Sequence, residues 1–180
     1  MRVIGGEFRS RVLKTVPGLD VRPTPDRLRE TLFNILTPRL RGKVFLDAYA
    51  GTGSVGIEAL SRGAPRAIFI EKNRKAVDIL RENLAALGLQ DRSKVIFGKV
   101  SQNLTSLNAD VCFIDPPYPL ALEYEMAMTA LAQTAAQLVI AQHSTRAPLS
   151  ASYGGLLQFR TLRQGENTLS FYQPALSDND

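Results

Sequence analysis

The chain has 180 residues, of which 44% are hydrophobic and 22% charged, as is typical of one soluble globular domain with a substantial core. No apolar run approaches the ~20 residues that a membrane-spanning helix needs, and the apolar part of the N-terminus is too short for a signal peptide. One His and one Cys provide no ligand set for zinc. The lone Cys112 is compatible with a reducing compartment. We expect a cytoplasmic protein, monomeric and without metal or membrane contacts.

Positive charge is concentrated near the N-terminus. The whole chain has a net charge of +5. Residues 1–43 hold ten basic and four acidic side chains, a net charge of +6, whereas the remainder has a net charge of −1. This distribution favours contact with phosphate groups, as in a nucleic acid. The alternative is a basic face that contacts only solvent.

The first predicted elements form a basic N-terminal extension. Two short strands, over residues 2–4 and 12–15, are expected to flank a glycine pair in a hairpin. A helix follows, with Thr24 as its N-cap and Pro25 at its first position, and it is expected to end before Pro38.

From Val44 onward, predicted strands and helices alternate. The predicted strands cover residues 44–48, 67–71, 95–97, 110–114 and 138–141, and the helices cover 55–61, 76–87 and 122–132. Segments 156–162 and 168–172 indicate a final antiparallel hairpin. Repeated β-α units predict an α/β fold with an open, mostly parallel sheet and helices on both faces. We therefore expect an extension over 1–40, an α/β domain over 41–174 and a disordered polar tail over 175–180.

A glycine-rich loop joins the first predicted strand to the next helix. Gly51, Gly53 and Gly56 fit the pattern G-x-G-x-x-G. Glycines at these positions let the backbone approach a ligand closely. The pattern serves NAD or S-adenosylmethionine equally well, and the alternative is a tight strand-to-helix turn.

Two acids stand at the ends of the first two strands. Glu71 is suited to accept hydrogen bonds from ribose hydroxyls. Asp47 suits a cofactor with a cationic amino-acid end, because it would repel a pyrophosphate. Each acid also has a local alternative: Glu71 as a cap of the helix that begins near Asn73, and Asp47 as a partner of the glycine turn.

The tetrapeptide Asp115-Pro116-Pro117-Tyr118 follows a buried apolar strand. Neither proline donates an N–H, and each pushes the preceding residue out of the helical region. The result is a stiff row of hydrogen-bond acceptors beside an aromatic ring. Such a row suits a flat, nitrogen-bearing base. The alternative is a simple strand-ending turn.

Together these motifs resemble the class I S-adenosylmethionine-dependent amino-methyltransferases. Segments 3–6 (V-I-G-G) and 22–34 (R-P-T-P-D-R-L-R-E-T-L-F-N) closely resemble the RsmD-type family, which methylates guanine N2 in bacterial 16S rRNA. Segment 165–172 is similar to the last hairpin of that family. The resemblance covers nearly the whole chain. It implies a Rossmann-like sheet of seven strands, in which the last strand lies antiparallel between the fifth and the sixth.

The resemblance also implies residue roles. S-adenosylmethionine is expected to contact residues at the strand ends and in the loops after them: Asp47, Ala48, Gly51, Gly53, Glu71, Lys99, Val100 and Asp115. Of these, Asp47 and the glycines would hold the methionine end, Glu71 the ribose, and Lys99 and Val100 the adenine. Asp115, Pro116, Pro117 and Tyr118 would receive the target guanine. Asp115 and the Pro116 carbonyl would accept hydrogen bonds from its amino group, and Tyr118 would stack on the base.

The expected partner is 16S rRNA, in the small ribosomal subunit or an assembly intermediate of it. Phosphate contacts are expected from five basic residues: Arg9, Arg11, Lys14, Arg22 and Arg27. Arg22 and Arg27 have the alternative of contacting the cofactor carboxylate.

Three polar residues differ from the family pattern or lack a role in it. Lys99 and Gln142 depart from the family pattern, which commonly has an acid at both positions or, at that of Lys99, an amide. Lysine has donors only and cannot accept a bond from the adenine amino group. His143, after the fifth strand, is expected to make a structural hydrogen bond.

Three other functions also fit parts of the sequence. A nicotinamide-dependent oxidoreductase would explain the glycines and Glu71, but not the proline-rich acceptor loop. A non-catalytic RNA-binding module would explain Lys99. A methyltransferase acting on adenine or cytosine in RNA or DNA would use the same acceptor loop.

Overall fold

The computed structural model describes residues 1–16, 25–117 and 121–175. The strands, numbered along the chain, are β1 (Val44–Asp47), β2 (Arg66–Glu71), β3 (Ser93–Phe97), β4 (Val111–Ile114), β5 (Leu138–Ser144), β6 (Ser152–Tyr153), β7 (Leu156–Gln164) and β8 (Asn167–Pro174). The helices are α1 (Asp26–Leu40), α2 (Ser54–Ser61), α3 (Arg74–Ala86) and α4 (Ala121–Leu131). Short 3-10 helices span Gln90–Arg92, Val100–Gln102 and Leu104–Ser106.

The eight strands form one sheet in the spatial order β3-β2-β1-β4-β5-β8-β7-β6. Strands β1 to β5 run parallel, whereas β8 pairs antiparallel with both β5 and β7. The strand order reverses at β1 and β4. The carboxyl ends of β1 and β4 therefore border the crevice where sheets of this type bind ligands.

Helices cover both faces of the sheet because its parallel strands are apolar on both sides. On one face, α1, α2 and α3 pack against Phe45, Phe69 and Phe113. On the other face, α4 packs against residues that include Ile114 and Cys112. Burial raises the pKa of the Cys112 thiol to about 12, so this cysteine packs as an inert apolar group.

The predicted α/β fold class is confirmed, and two details of the sheet differ. The two-residue strand β6 adds an eighth strand that the apolar pattern did not predict. The predicted N-terminal hairpin is reduced to a single antiparallel bridge between Arg2 and Val12. The Val3 N–H donates to the Arg11 carbonyl and the Leu13 N–H to the Met1 carbonyl on either side of this bridge. The N–H groups of Ile4, Gly5 and Phe8 bond instead to side chains of α2, so the hairpin ladder does not extend further.

Helix α1 is longer at its C-terminal end than predicted. It passes through Pro38 and ends at Leu40. Pro38 lies in the last turn and is exposed, and fully buried Leu40 ties that turn to the core. At the other end Pro25 takes the N-cap position, one residue before the helix, while Thr24 lies outside the described residues.

Residues 1–16, which we call the N-terminal arm, are fastened to α2. The Glu58 carboxylate accepts hydrogen bonds from the N–H groups of Ile4 at 2.8 Å and Gly5 at 2.9 Å. The Ser61 hydroxyl accepts from the Phe8 N–H and donates to the Gly5 carbonyl. These bonds hold the exposed basic side chains of the arm against a rigid support.

None of the described helices has the length and apolarity to cross a bilayer.

Candidate active site

The candidate site lies at the carboxyl ends of β1, β2 and β4. The loop after β1 is fixed to both neighbouring strands, since the Ala48 N–H donates to the Phe113 carbonyl and the Ala50 N–H to the Ile70 carbonyl, each at 3.0 Å. Asp47 and Glu71 end their strands on this edge. The structure therefore brings the glycine loop, both acids and the start of the acceptor loop to one edge of the sheet.

The three glycines of the loop have different roles. A side chain at Gly53 would overlap Leu80 of α3, and one at Gly56 would overlap the Phe69 ring, so these two glycines permit close packing. Gly51 has a φ of +54°, and among the described residues other than its chain neighbours no atom lies within 4 Å of the position that a Cβ would take. Gly51 is therefore the glycine beside which a ligand can approach the backbone.

Glu71 organises the turn around the loop. Its two carboxylate oxygens accept hydrogen bonds from the N–H groups of Gly51 at 2.8 Å and Asn73 at 2.7 Å. A carboxylate has about four acceptor positions, so both oxygens retain capacity for ribose hydroxyls. The local role and the proposed cofactor role are compatible.

Asp47 is almost completely enclosed, with 2% of its surface exposed. Its carboxylate accepts a hydrogen bond from the Gly56 N–H at 2.8 Å, near the start of α2. Burial raises the pKa of Asp47 from 3.8 to about 7, and the negative charge of Glu71 adds to the rise. A cationic group placed beside Asp47 would favour its ionised form.

The buried Asp47 predicts a pH effect on stability. Because its pKa is higher in the folded state, its stabilising contribution is complete below about pH 3.8 and is lost as pH rises to about 7. Asp47→Asn keeps an oxygen that can accept from Gly56 but does not titrate. We expect urea unfolding to show that the stability of the unmodified chain, relative to this variant, falls across that pH interval. A constant difference between the two proteins would contradict the prediction.

The predicted adenine contacts lie after β3, where the Gly98 N–H donates to the Glu71 carbonyl at 3.0 Å. Lys99 is exposed, and Val100, the first residue of a 3-10 helix, is buried. The Lys99 carbonyl accepts from Asn103 at 2.8 Å. The exposed Lys99 side chain carries only hydrogen-bond donors, so it cannot accept a bond from an amino group.

The acceptor loop follows β4 directly. Asp115 is half-buried, Pro116 is buried and Pro117 is exposed, while Tyr118 lies outside the described residues. Tyr49 of the glycine loop donates to Glu123 of α4 at 2.8 Å, which links the loop to the helix that follows the acceptor loop. Burial, followed by this hydrogen bond, raises the pKa of Tyr49. Tyr49 was not predicted as a site residue, although an aromatic residue inside a glycine loop was a signal.

Gln142 and His143 lie near the end of β5. The Gln142 amide oxygen is buried and has no hydrogen-bond partner among the described residues. His143 contacts the carbonyls of Ser144 and Ala147 through Nδ1 and the Ser170 hydroxyl through Nε2. Burial lowers the pKa of His143, so the ring is a neutral structural group, as expected.

Four of the five basic residues predicted to contact RNA phosphates lie on the described surface. Arg9, Arg11 and Arg27 are exposed, and exposed Lys14 forms an ion pair with Glu82 at 2.8 Å. Arg22 lies outside the described residues.

Arg29 is different because it is fully buried, and it donates to the Arg2 carbonyl at 2.6 Å and to Asp26 at 3.0 Å. Its positive charge was included in the predicted basic surface, but the side chain is buried and forms its hydrogen bonds inside the protein. Burial lowers the pKa of Arg29.

Among the side chains that the structure describes, no group of three or more His, Cys, Asp or Glu could hold a metal ion. The described part of the site presents carboxylates, backbone groups and prolines. This set matches the organic cofactor and amino-bearing base that the sequence predicted.

Comparison with known proteins agrees with the geometry. The chain is 32% identical to the putative rRNA methyltransferase YlbH of Bacillus subtilis, over 96% of this chain and 98% of that protein. It is 37% identical to the ribosomal RNA small subunit methyltransferase D of Haemophilus influenzae, over 74% and 71%. The solved structure of the putative methyltransferase yhhF from Escherichia coli superposes with a TM-score of 0.86 at 32% identity, over 98% of this chain and 99% of that one.

The family match spans most of the molecule. Residues 1–173 match the family described as "Conserved hypothetical protein 95". The match includes the N-terminal arm, the glycine loop, the acceptor loop and the last hairpin. The chain therefore belongs to this family, the RsmD-type methyltransferases, which confirms the family predicted from its motifs.

Proposed function

We propose that this protein transfers a methyl group from S-adenosylmethionine to the exocyclic N2 amino group of a guanine in small-subunit (16S) rRNA. One observation carries the proposal: the glycine loop with its open position at Gly51 and the acceptors after β4 lie on the same sheet edge. Membership of the RsmD-type family favours this function over a nicotinamide-dependent oxidoreductase. It also favours guanine over adenine or cytosine.

The residues at the site fit the proposed cofactor. Asp47 would hold the cationic amino group, Ala48, Gly51 and Gly53 would border the methionine end, and Glu71 would accept from the ribose. This role for Asp47 is supported by its burial, since a nearby cation would offset the cost of its negative charge. Lys99 and Val100 would border the adenine, with the backbone of Val100 rather than the lysine side chain making the polar contact.

When bound, the cofactor supplies an electrophilic methyl carbon. The protein's task is then to hold a weakly nucleophilic amino group in line with that carbon. The Asp115 carboxylate and the Pro116 carbonyl would accept hydrogen bonds from the two N2–H groups and stabilise the positive charge that develops on nitrogen. Pro117 would stiffen the loop, and Tyr118 would stack on the base. As the N–C bond forms, the bond between the methyl carbon and the cofactor sulfur would break, and one N2 proton would then pass to Asp115 or solvent.

The exposed arginines of the N-terminal arm would contact rRNA phosphates. For Arg9→Ala with Arg11→Ala, we expect weaker RNA binding and a shallower dependence of log Kd on log salt, by about one unit per lost phosphate contact. Lys14, Arg22 and Arg27 would extend the same surface. Filter binding of an rRNA fragment across a salt series measures the effect.

A charge-matched control is available at the opposite edge of the sheet. Arg160→Ala with Arg163→Ala removes two exposed positive charges from β7, at the other end of the strand order from β2 and β3. We expect its salt dependence to stay close to that of the unmodified chain. Equal slopes for the two double variants would contradict a specific role for the arm.

We further propose that the protein acts in the cytoplasm as a monomer, on the small ribosomal subunit or an assembly intermediate. Radiolabelled methyl transfer to small subunits that lack the modification tests the function, and mass mapping identifies the methylated base. A modified guanine N2 is the expected result. Cofactor binding without any transfer to naked rRNA, subunits or assembly intermediates would favour the non-catalytic RNA-binding module.

A further inference from the structure

A buried asparagine joins the N-terminal arm to the glycine loop. Asn83 lies on α3 with 3% of its surface exposed. Its Oδ1 accepts from the Lys14 N–H at 2.8 Å, and its Nδ2 donates to the Lys14 carbonyl at 3.1 Å and the Thr52 carbonyl at 3.0 Å. Exchanging the amide oxygen and nitrogen would place donors against donors, so the network determines the orientation of the side chain.

The two segments that Asn83 joins have distinct proposed roles. Thr52 lies between Gly51 and Gly53 in the cofactor loop, and Lys14 lies in the basic arm near Arg9 and Arg11. The arm is also fixed to α2, whose N-cap is Gly53. The arm and the loop therefore share two rigid supports, and only Asn83 among the described side chains bonds directly to the backbone of both.

A displacement of either segment would strain the same amide. Moving Thr52 away would remove one acceptor from Nδ2, and moving Lys14 away would leave a backbone N–H and Oδ1 unpaired in a buried position. Ordering of the glycine loop by a ligand therefore favours one placement of Lys14, and ordering of the arm by RNA favours one placement of Thr52. Coupling of this kind acts equally in both directions.

We propose that Asn83 is a positioning residue that couples cofactor binding to rRNA binding, so that each ligand tightens the binding of the other. The inference rests on the proposed function, because it assigns the cofactor to the loop and the rRNA to the arm. It adds a physical connection between the two sites through a residue that contacts neither ligand.

Equilibrium dialysis with tritiated S-adenosylhomocysteine tests the coupling. The affinity of the full chain is measured alone and with saturating small subunits that lack the methyl group. For the unmodified chain we expect subunits to tighten binding about fivefold or more. For Asn83→Ala we expect less than about a twofold change. Glu82→Gln is the matched control: it removes the exposed ion pair with Lys14, leaves the backbone bonds intact and should keep the full coupling.

A second readout uses only the unmodified chain and so does not depend on the folding of a variant. We expect S-adenosylhomocysteine alone to slow hydrogen exchange of the Lys14 amide about threefold or more, because that N–H bonds to Asn83. Unchanged exchange, or full coupling in Asn83→Ala, would overturn the inference while leaving methyl transfer intact. Failure of the unmodified chain to bind S-adenosylhomocysteine would overturn the proposed function itself, and the inference with it.

Discussion

Replacement of Asp115 by alanine is expected to lower kcat for methyl transfer by about 10²–10³, the usual effect of removing one group that stabilises transition-state charge. The affinity for S-adenosylmethionine should change by less than about threefold. The reason is that the carboxylate would accept a proton of the reacting amino group, whereas most of the proposed cofactor contacts come from the β1 and β2 ends. Single-turnover transfer to small subunits measures the first quantity, and calorimetry measures the second.

Two further variants sharpen this experiment. Asp115→Asn retains one acceptor oxygen without the charge, so its rate should lie between those of the unmodified chain and Asp115→Ala. Asp91→Ala removes an exposed carboxylate beside the amino end of β3, on the far edge of the sheet, and should leave both quantities unchanged. Equal losses of rate and cofactor affinity in Asp115→Ala would mean that Asp115 mainly builds the cofactor pocket.

The alternating part of the fold was predictable because buried parallel strands and amphipathic helices leave strong local patterns. All five parallel strands and the final hairpin occur where the apolar runs indicated them. The N-terminal arm was not predictable in this way. Its backbone groups bond to Glu58 and Ser61, which are more than 50 positions away in the sequence. Local sequence patterns cannot identify partners that are so distant along the chain.

Asp47 and Glu71 end β1 and β2, as the sequence predicted, but the sequence could not separate their local hydrogen bonds from their proposed contacts with a cofactor. Asp47 accepts from a backbone N–H of the glycine region, as its local alternative required, and Glu71 accepts from the N–H groups of Asn73, near the start of α3, and of Gly51. A carboxylate has more acceptor positions than these bonds use. Local organisation of the turn and contact with a ligand were therefore never exclusive.

Buried polar residues were the main omission. Arg29 was counted as surface charge, and Asn83 was missed because the helical stripe was identified from its apolar members alone. For Asn83 a signal was present in the sequence, because it lies three positions after Leu80, on the face that α3 buries. A polar residue on such a face must find partners, and its partners are usually informative.

The largest stability effect is expected at Glu58, which is fully buried and accepts from Ile4, Gly5 and Arg62. Its carboxylate also lies 4.0 Å from Nε of buried Arg29. Nε has no hydrogen-bond partner among the described residues, so the interaction between these two groups is purely electrostatic. Glu58→Ala would remove the acceptors of two backbone N–H groups and leave the buried Arg29 charge with half-exposed Asp26 as its ion-pair partner among the described residues. We expect a loss of about 3–5 kcal/mol in the free energy of unfolding, measured with urea.

Glu82→Ala is the control for an exposed carboxylate in an ion pair, and it should cost less than about 1 kcal/mol. Glu58→Gln should fall between the two, because its amide oxygen still accepts one N–H while its NH₂ group opposes another. Amide exchange in the arm should rise in the same order as the stability loss, since the Ile4 and Gly5 N–H groups are the ones released. Similar costs for Glu58→Ala and Glu82→Ala would mean that the arm is held by the packing of Val3 and Leu13 rather than by the buried carboxylate.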